Sequence, residues 1–180
     1  LENNANLTIC LGNSTLEILK NKGVLSLDNL SSITTNTLES TGTIQSPKGS
    51  LLVLLLDAAK PQTTVHRGST LRVNTNEATK HTIYPGALKA QQDLFLEIGD
   101  CLDMAECLRV FAEHWQCGGT LRMHGENFRA NKPITYPGSV FFSVNDFEVN
   151  KHLIFRSLRV QAKKARVGKS NDEMGFIETK

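Results

Sequence analysis

Gly99-Asp100-Cys101-Leu102-Asp103-Met104-Ala105-Glu106-Cys107-Leu108-Arg109-Val110-Phe111-Ala112-Glu113-His114-Trp115-Gln116-Cys117-Gly118-Gly119 is the stretch whose reading decides the fold. It is the one strong helix signal in the chain. Asp100 can cap its start, and Asp103 and Glu106 put negative charge where the helix dipole favours it. Met104, Leu108, Phe111, Ala112 and Trp115 recur at helical spacing and form one apolar stripe. Gly118 stands where a left-handed C-terminal residue is wanted, and Gly119 ends any continuation. These features predict a helix over about 100–117.

Outward from this stretch the signals are those of strand and turn. Leu7, Ile9 and Leu11 alternate with Thr8, Cys10 and Gly12, the period of a half-buried strand. Short strands are expected at 15–19, 24–27 and 41–46, with a short helix over 28–40 as a competing reading. The run Leu51-Leu52-Val53-Leu54-Leu55-Leu56 is far too short to span a bilayer and reads as a central strand, apolar on both faces. Strands are also expected at Thr70–Asn74, Thr120–His124 and Val140–Val144, the last ended by Asn145-Asp146. Tyr84-Pro85-Gly86 and Tyr136-Pro137-Gly138 read as turns. Leu153 to Val160 reads equally as strand or as helix. A loose echo links Ser14-Thr15-Leu16-Glu17, Asn36-Thr37-Leu38-Glu39 and Ser69-Thr70-Leu71-Arg72. Its unequal spacing argues against a solenoid, which needs a steadier period. The expected fold is α+β: a mainly antiparallel sheet or sandwich with helix 100–117 on one face. Residues 1–168 make one domain, and 169–180 a polar tail.

The chain has 180 residues, 39% hydrophobic and 21% charged, a globular composition with room for a core. Residues 1–12 lack both a basic start and a long apolar centre, so no signal peptide is expected there. Cys10, Cys101, Cys107 and Cys117 form no CxxC, and Cys101 and Cys107 are too far apart on one helix to bond to each other. Free thiols and an intracellular setting are expected. Three sequons, at Asn6, Asn13 and Asn29, point the other way, to secretion.

Cys107, His114, Cys117 and His124 are residues of the type zinc takes, but Cys107 and His114 lie two helical turns apart, too far for one ion. No GxSxG, HExxH, P-loop or dinucleotide fingerprint occurs. Neither metal, cofactor nor catalytic residue is assigned. The clearest functional feature is charge: Lys151, Arg156, Arg159, Lys163, Lys164, Arg166 and Lys169 stand in a segment without one acid. The sequence therefore predicts a non-enzymatic structural or assembly protein, comparable to a viral matrix or coat protein, that associates with itself. It would meet an anionic partner, nucleic acid or an acidic lipid surface, through Arg156, Arg159, Lys163, Lys164, Arg166 and Lys169. A small Cys/His enzyme and an extracellular adhesin-type binding module are the alternatives.

Overall fold

The computed structural model describes residues 1–10, 12–57, 68–75, 86–99, 103–170, 173–174 and 177–179. The chain winds first through β1 (Glu2–Asn3), β2 (Asn6–Ile9), β3 (Asn13–Asn21), β4 (Val24–Leu27), β5 (Ser32–Ser40), β6 (Thr43–Ser46), β7 (Leu51–Asp57) and β8 (Ser69–Thr75). It continues through β9 (Ala87–Ala90), β10 (Leu94–Ile98), helix α1 (Met104–Phe111), β11 (Trp115–Cys117), β12 (Thr120–His124), β13 (Asn127–Ala130), β14 (Ile134–Val149) and β15 (Leu153–Val167). The last pieces are β16 (Lys169–Ser170), β17 (Glu173–Met174) and β18 (Ile177–Thr179), and β18 pairs with Leu153–Phe155.

Among the described residues every pairing except the small β16–β17 hairpin is parallel. Asn6 lies beside Val24 and Val24 beside Thr43; Leu121 lies beside Val140 and Val140 beside Leu158. In these rungs the chain returns to the same place every 18 or 19 residues, and across α1 every 27 (Leu94 beside Leu121, Leu88 beside Trp115), so it stacks as the rungs of a β-solenoid. Two long ladders result: β3-β5-β8-β7-β10-β12-β14-β15, and β2-β4-β6-β9-β11.

The rungs hold together because each places an apolar side chain at the same inward position. One column is Leu7-Leu25-Ile44-Leu88-Trp115; another is Ile33-Leu71-Val53-Leu96-Met123-Phe142-Val160. Strand alternation sends every second side chain inward, so identical parity in each rung builds a continuous core. At the corners the backbones touch. A Cβ on Gly23 would come 2.0 Å from the Ala5 carbonyl oxygen, and one on Gly42 2.1 Å from that of Gly23. Beside these glycines runs a buried amide ladder: Asn3 Nδ2 donates to Asn21 Oδ1 (2.9 Å), and Asn21 Nδ2 to Ser40 Oγ (3.3 Å).

The expectation of an antiparallel sheet or sandwich with one substantial helix is therefore wrong on both counts. The helix is 8 residues long and is capped by Asp103, whose carboxylate accepts from the Ala105 and Glu106 amides. Asp100 lies outside the described residues. The predicted second half of the helix is strand β11, because Trp115 completes the inward column above Leu88 and pairing with β9 outweighs helix propensity. Gly118 is not left-handed; it is a corner glycine whose Cβ would meet the Gln91 carbonyl oxygen at 1.9 Å. The 28–40 segment is strand β5, not helix, and the ambiguous 153–160 segment is strand as well. Tyr136-Pro137-Gly138 is a bulge inside β14, which runs past Asn145-Asp146 to Val149. Its counterpart at Tyr84-Pro85 lies outside the described residues. β7 is central as expected, with Leu51 to Leu55 all buried.

One rung departs from sequence order. β8 is wedged between β5 and β7, while in the other ladder β4, β6 and β9 follow one another directly. One side of the solenoid therefore holds a strand more than the other at this level.

Candidate functional site: the basic strand and the arginine–phenylalanine column

The basic segment is β15, hydrogen-bonded to β14 over nearly its whole length. Being strand, it sends its side chains to alternating faces, and it follows β14 round a corner where the inward parity shifts, Val144 and Phe147 being both buried three residues apart. This scatters the predicted site. Arg156, Arg159 and Lys163 lie on or before that corner, and Lys164 and Arg166 beyond it; all five are exposed. The Lys169 side chain lies outside the described residues.

The strand beneath decides which of these charges act outward. Lys164 stands beside Asp146, and Arg166 beside Glu148. Glu148 accepts from Asn150 Nδ2 (2.8 Å) and Arg129 Nε (2.9 Å). The Asn150 amide, against a small desolvation cost, and then Arg129 and Arg166, hold its carboxyl below the usual carboxylate range. Arg156, Arg159 and Lys163 have no carboxylate paired with them on β14: Phe155, Ser157, Arg159 and Ala162 pair with Tyr136, Ser139, Phe141 and Val144.

Arg159 also ends a column that was not legible in the sequence. Phe95, Arg122, Phe141 and Arg159 occupy one outward position on β10, β12, β14 and β15. The Arg122 guanidinium lies 5.7 Å from the Phe95 ring centre and 5.6 Å from that of Phe141; Arg159 lies 5.5 Å from Phe141. These are cation–π distances. Arg122 is neutralised by Asp93, whose Oδ2 accepts from its Nε at 2.6 Å. Burial works against the Asp93 charge, but the Thr120 amide and Arg122 outweigh it and keep the carboxyl below its ordinary value. Arg159 forms no ion pair among the described residues and is the free cation of the column.

The cysteine and histidine candidates do not assemble. Among the described residues no three His, Cys, Asp or Glu side chains converge as metal ligands. Desolvation, with help from Asp103 and Glu106, pushes the Cys107 thiol up to about 12, so it is neither a thiolate nucleophile nor a ready ligand at neutral pH. Cys117 lies 3.9 Å from Tyr136 Oη, and burial raises both groups. Cys10, Cys107 and Cys117 are free thiols; Cys101, His66 and His81 lie outside the described residues. Of the sequon asparagines, Asn6 and Asn13 are exposed, while Asn29 packs on Gly49.

No family model, curated protein or solved structure matches the chain.

Proposed function

We propose that the protein is a non-enzymatic solenoid scaffold that holds an extended polyanion along the outer side of β15, through Arg156, Arg159 and Lys163. The observation that carries this reading is the absence of any facing carboxylate on β14 beside these three, against the Asp146 and Glu148 that face Lys164 and Arg166. Because β15 bends round a corner, its cations point in different directions. A polymer can follow that line, whereas a flat lipid surface meets only one side of it. Basic side chains on a strand edge also discourage edge-to-edge pairing. Self-association, if it accompanies binding, is accordingly assigned to another surface.

The test is the dependence of affinity on salt, measured on duplex nucleic acid and on anionic vesicles. Replacing Arg156, Arg159 and Lys163 with Ala should make the log–log slope on duplex shallower by about two to three, one counterion for each lost phosphate contact. Replacing Lys164 and Arg166 should change it less. Equal slopes for the wild type and the triple variant, or no binding at low salt, overturn the reading. Binding to vesicles alone transfers it to a lipid surface.

A further inference from the structure

The extra strand β8 opens a groove at the opposite end of the same sheet. In a regular solenoid the turn after β4 and the turn after β6 would stack about 4.8 Å apart along the ladder that follows. Here β8 stands between the strands that those turns lead into. Gly68, at φ +121°, swings the chain into β8, a conformation that favours glycine. Ser69 then fills the inner gap: its buried hydroxyl donates to the Leu27 carbonyl at 3.0 Å and lies 3.2 Å from Ser46 Oγ. The outer gap stays open as a groove of about 830 Å³, within the range of ~300–1,000 Å³ usual for small-ligand clefts.

Its chemistry is specific. The walls are the 28–32 and 47–50 turns, and hydroxyl and amide groups such as Ser32, Thr70 and Gln92 line it. Among the described residues Lys48 and Arg72 are its charged residues, and neither a carboxylate nor an aromatic ring lines it. Lys48 is exposed and forms no ion pair among the described residues. Asn29 packs against Gly49, and its Oδ1 is buried beneath the groove wall. The groove thus offers a cation for an anionic group and many partners for hydroxyls.

We propose that this groove binds an acidic saccharide, with the sugar carboxylate at Lys48 and sugar hydroxyls on Ser32, Thr70 and Gln92. The site is separate from β15, and the two stand or fall independently. The test is calorimetric titration of the whole protein with a mannuronate trimer, with the corresponding neutral mannotriose, and with acetate. The trimer should bind, mannotriose should bind at least about tenfold more weakly, and acetate should not compete at equal concentration. Lys48→Glu, an exposed change that leaves folding intact, should abolish trimer binding. Removal of Arg156, Arg159 and Lys163 should leave it unchanged. No binding of the trimer, binding insensitive to Lys48→Glu, or acetate binding as tightly as the trimer overturns the proposal.

Discussion

One line of outward side chains runs the length of the long ladder: Asn13, Ser32, Thr70, Leu52, Phe95, Arg122, Phe141, Arg159. Its N-terminal end is made of hydroxyls and an amide; its C-terminal end alternates arginine with phenylalanine. Both ends are parallel ladders, and apart from the inserted β8 the difference lies in what each rung displays. Between them Leu52 and Leu54 are buried on this outer face and form a small cluster with Phe95, apart from the main core. The interiors differ in parallel. Aliphatic residues fill the early rungs, whereas Phe128, Phe142, Phe147 and Phe155 pack ring on ring in the late ones, with centroids 4.3 to 6.2 Å apart. A solenoid separates the two tasks: inward parity maintains the stack, and outward positions vary from rung to rung.

The comparison breaks most visibly in the core. Phe142→Ala should cost about 3–5 kcal/mol, and Ile33→Ala in the same column about 2–5. Urea unfolding measures both. If the phenylalanine loss does not exceed the isoleucine loss, the ring contacts add nothing beyond burial.

A second contrast is between two asparagine pairs. Asn21, fully buried, links Asn3 to Ser40, so Asn21→Ala should cost about 1–3 kcal/mol by leaving the Asn3 amide short of an acceptor. Asn150 donates to Asn131 at 3.0 Å in an exposed bond, and Asn150→Ala should cost within about 0.5 kcal/mol. Equal losses in thermal unfolding would show that solvent reaches the N-terminal ladder.

The Arg122–Asp93 pair gives a pH signature. The Asp93 carboxyl is depressed in the folded protein, so its contribution to stability is fully present above its unfolded value of about 3.9 and is lost as pH falls through the folded value. Wild type should therefore exceed Asp93→Asn in melting temperature at pH 7, and the gap should narrow below about pH 4. A gap independent of pH would assign the loss to packing alone.

The smallest effect is chemical. Exposed Cys10 should be alkylated by iodoacetamide at pH 8, while Cys107, its thiol pushed up to about 12, should react far more slowly. Equal rates would mean that the helix opens readily.

Most strands were legible because alternation is local: 24–27, 51–57 and 120–124 fall where the apolar period puts them. The solenoid was not, because its repeat is one of burial and hardly of identity. Ile33, Leu71, Val53, Leu96, Met123 and Phe142 occupy one column with little in common beyond being apolar. The tetrapeptide echo misled for the same reason: Thr70 and Leu71 lie beside Ser32 and Ile33, not beside Thr37 and Leu38. The asparagines at 3 and 21, and at 131 and 150, carried the true period, as did Arg129 and Glu148. The basic segment was visible in composition, but Asp146 and Glu148 beside it become neighbours only through β14–β15 pairing. Helix 100–117 was overextended because Trp115 suits a helical stripe and a strand column equally well.

The displaced strand β8 has a kinetic consequence. In a linear array each rung is stabilised by its neighbours alone, so structure spreads along the stack from wherever it begins. Elsewhere a growing end recruits chain some 18 to 27 residues away. At the wedge, Ser32 must find Thr70, 38 residues on, and Leu51 must find Leu94, 43 residues on. Closing those larger loops costs more entropy before any contact rewards it. The N-terminal rungs through β6 and the rungs from β10 onward should therefore behave as two cooperative blocks, with the locally closed β7–β8 pair between them the last to engage and the first to part. In native-state hydrogen exchange, this would appear as two groups of amides with separate opening energies, divided at β8.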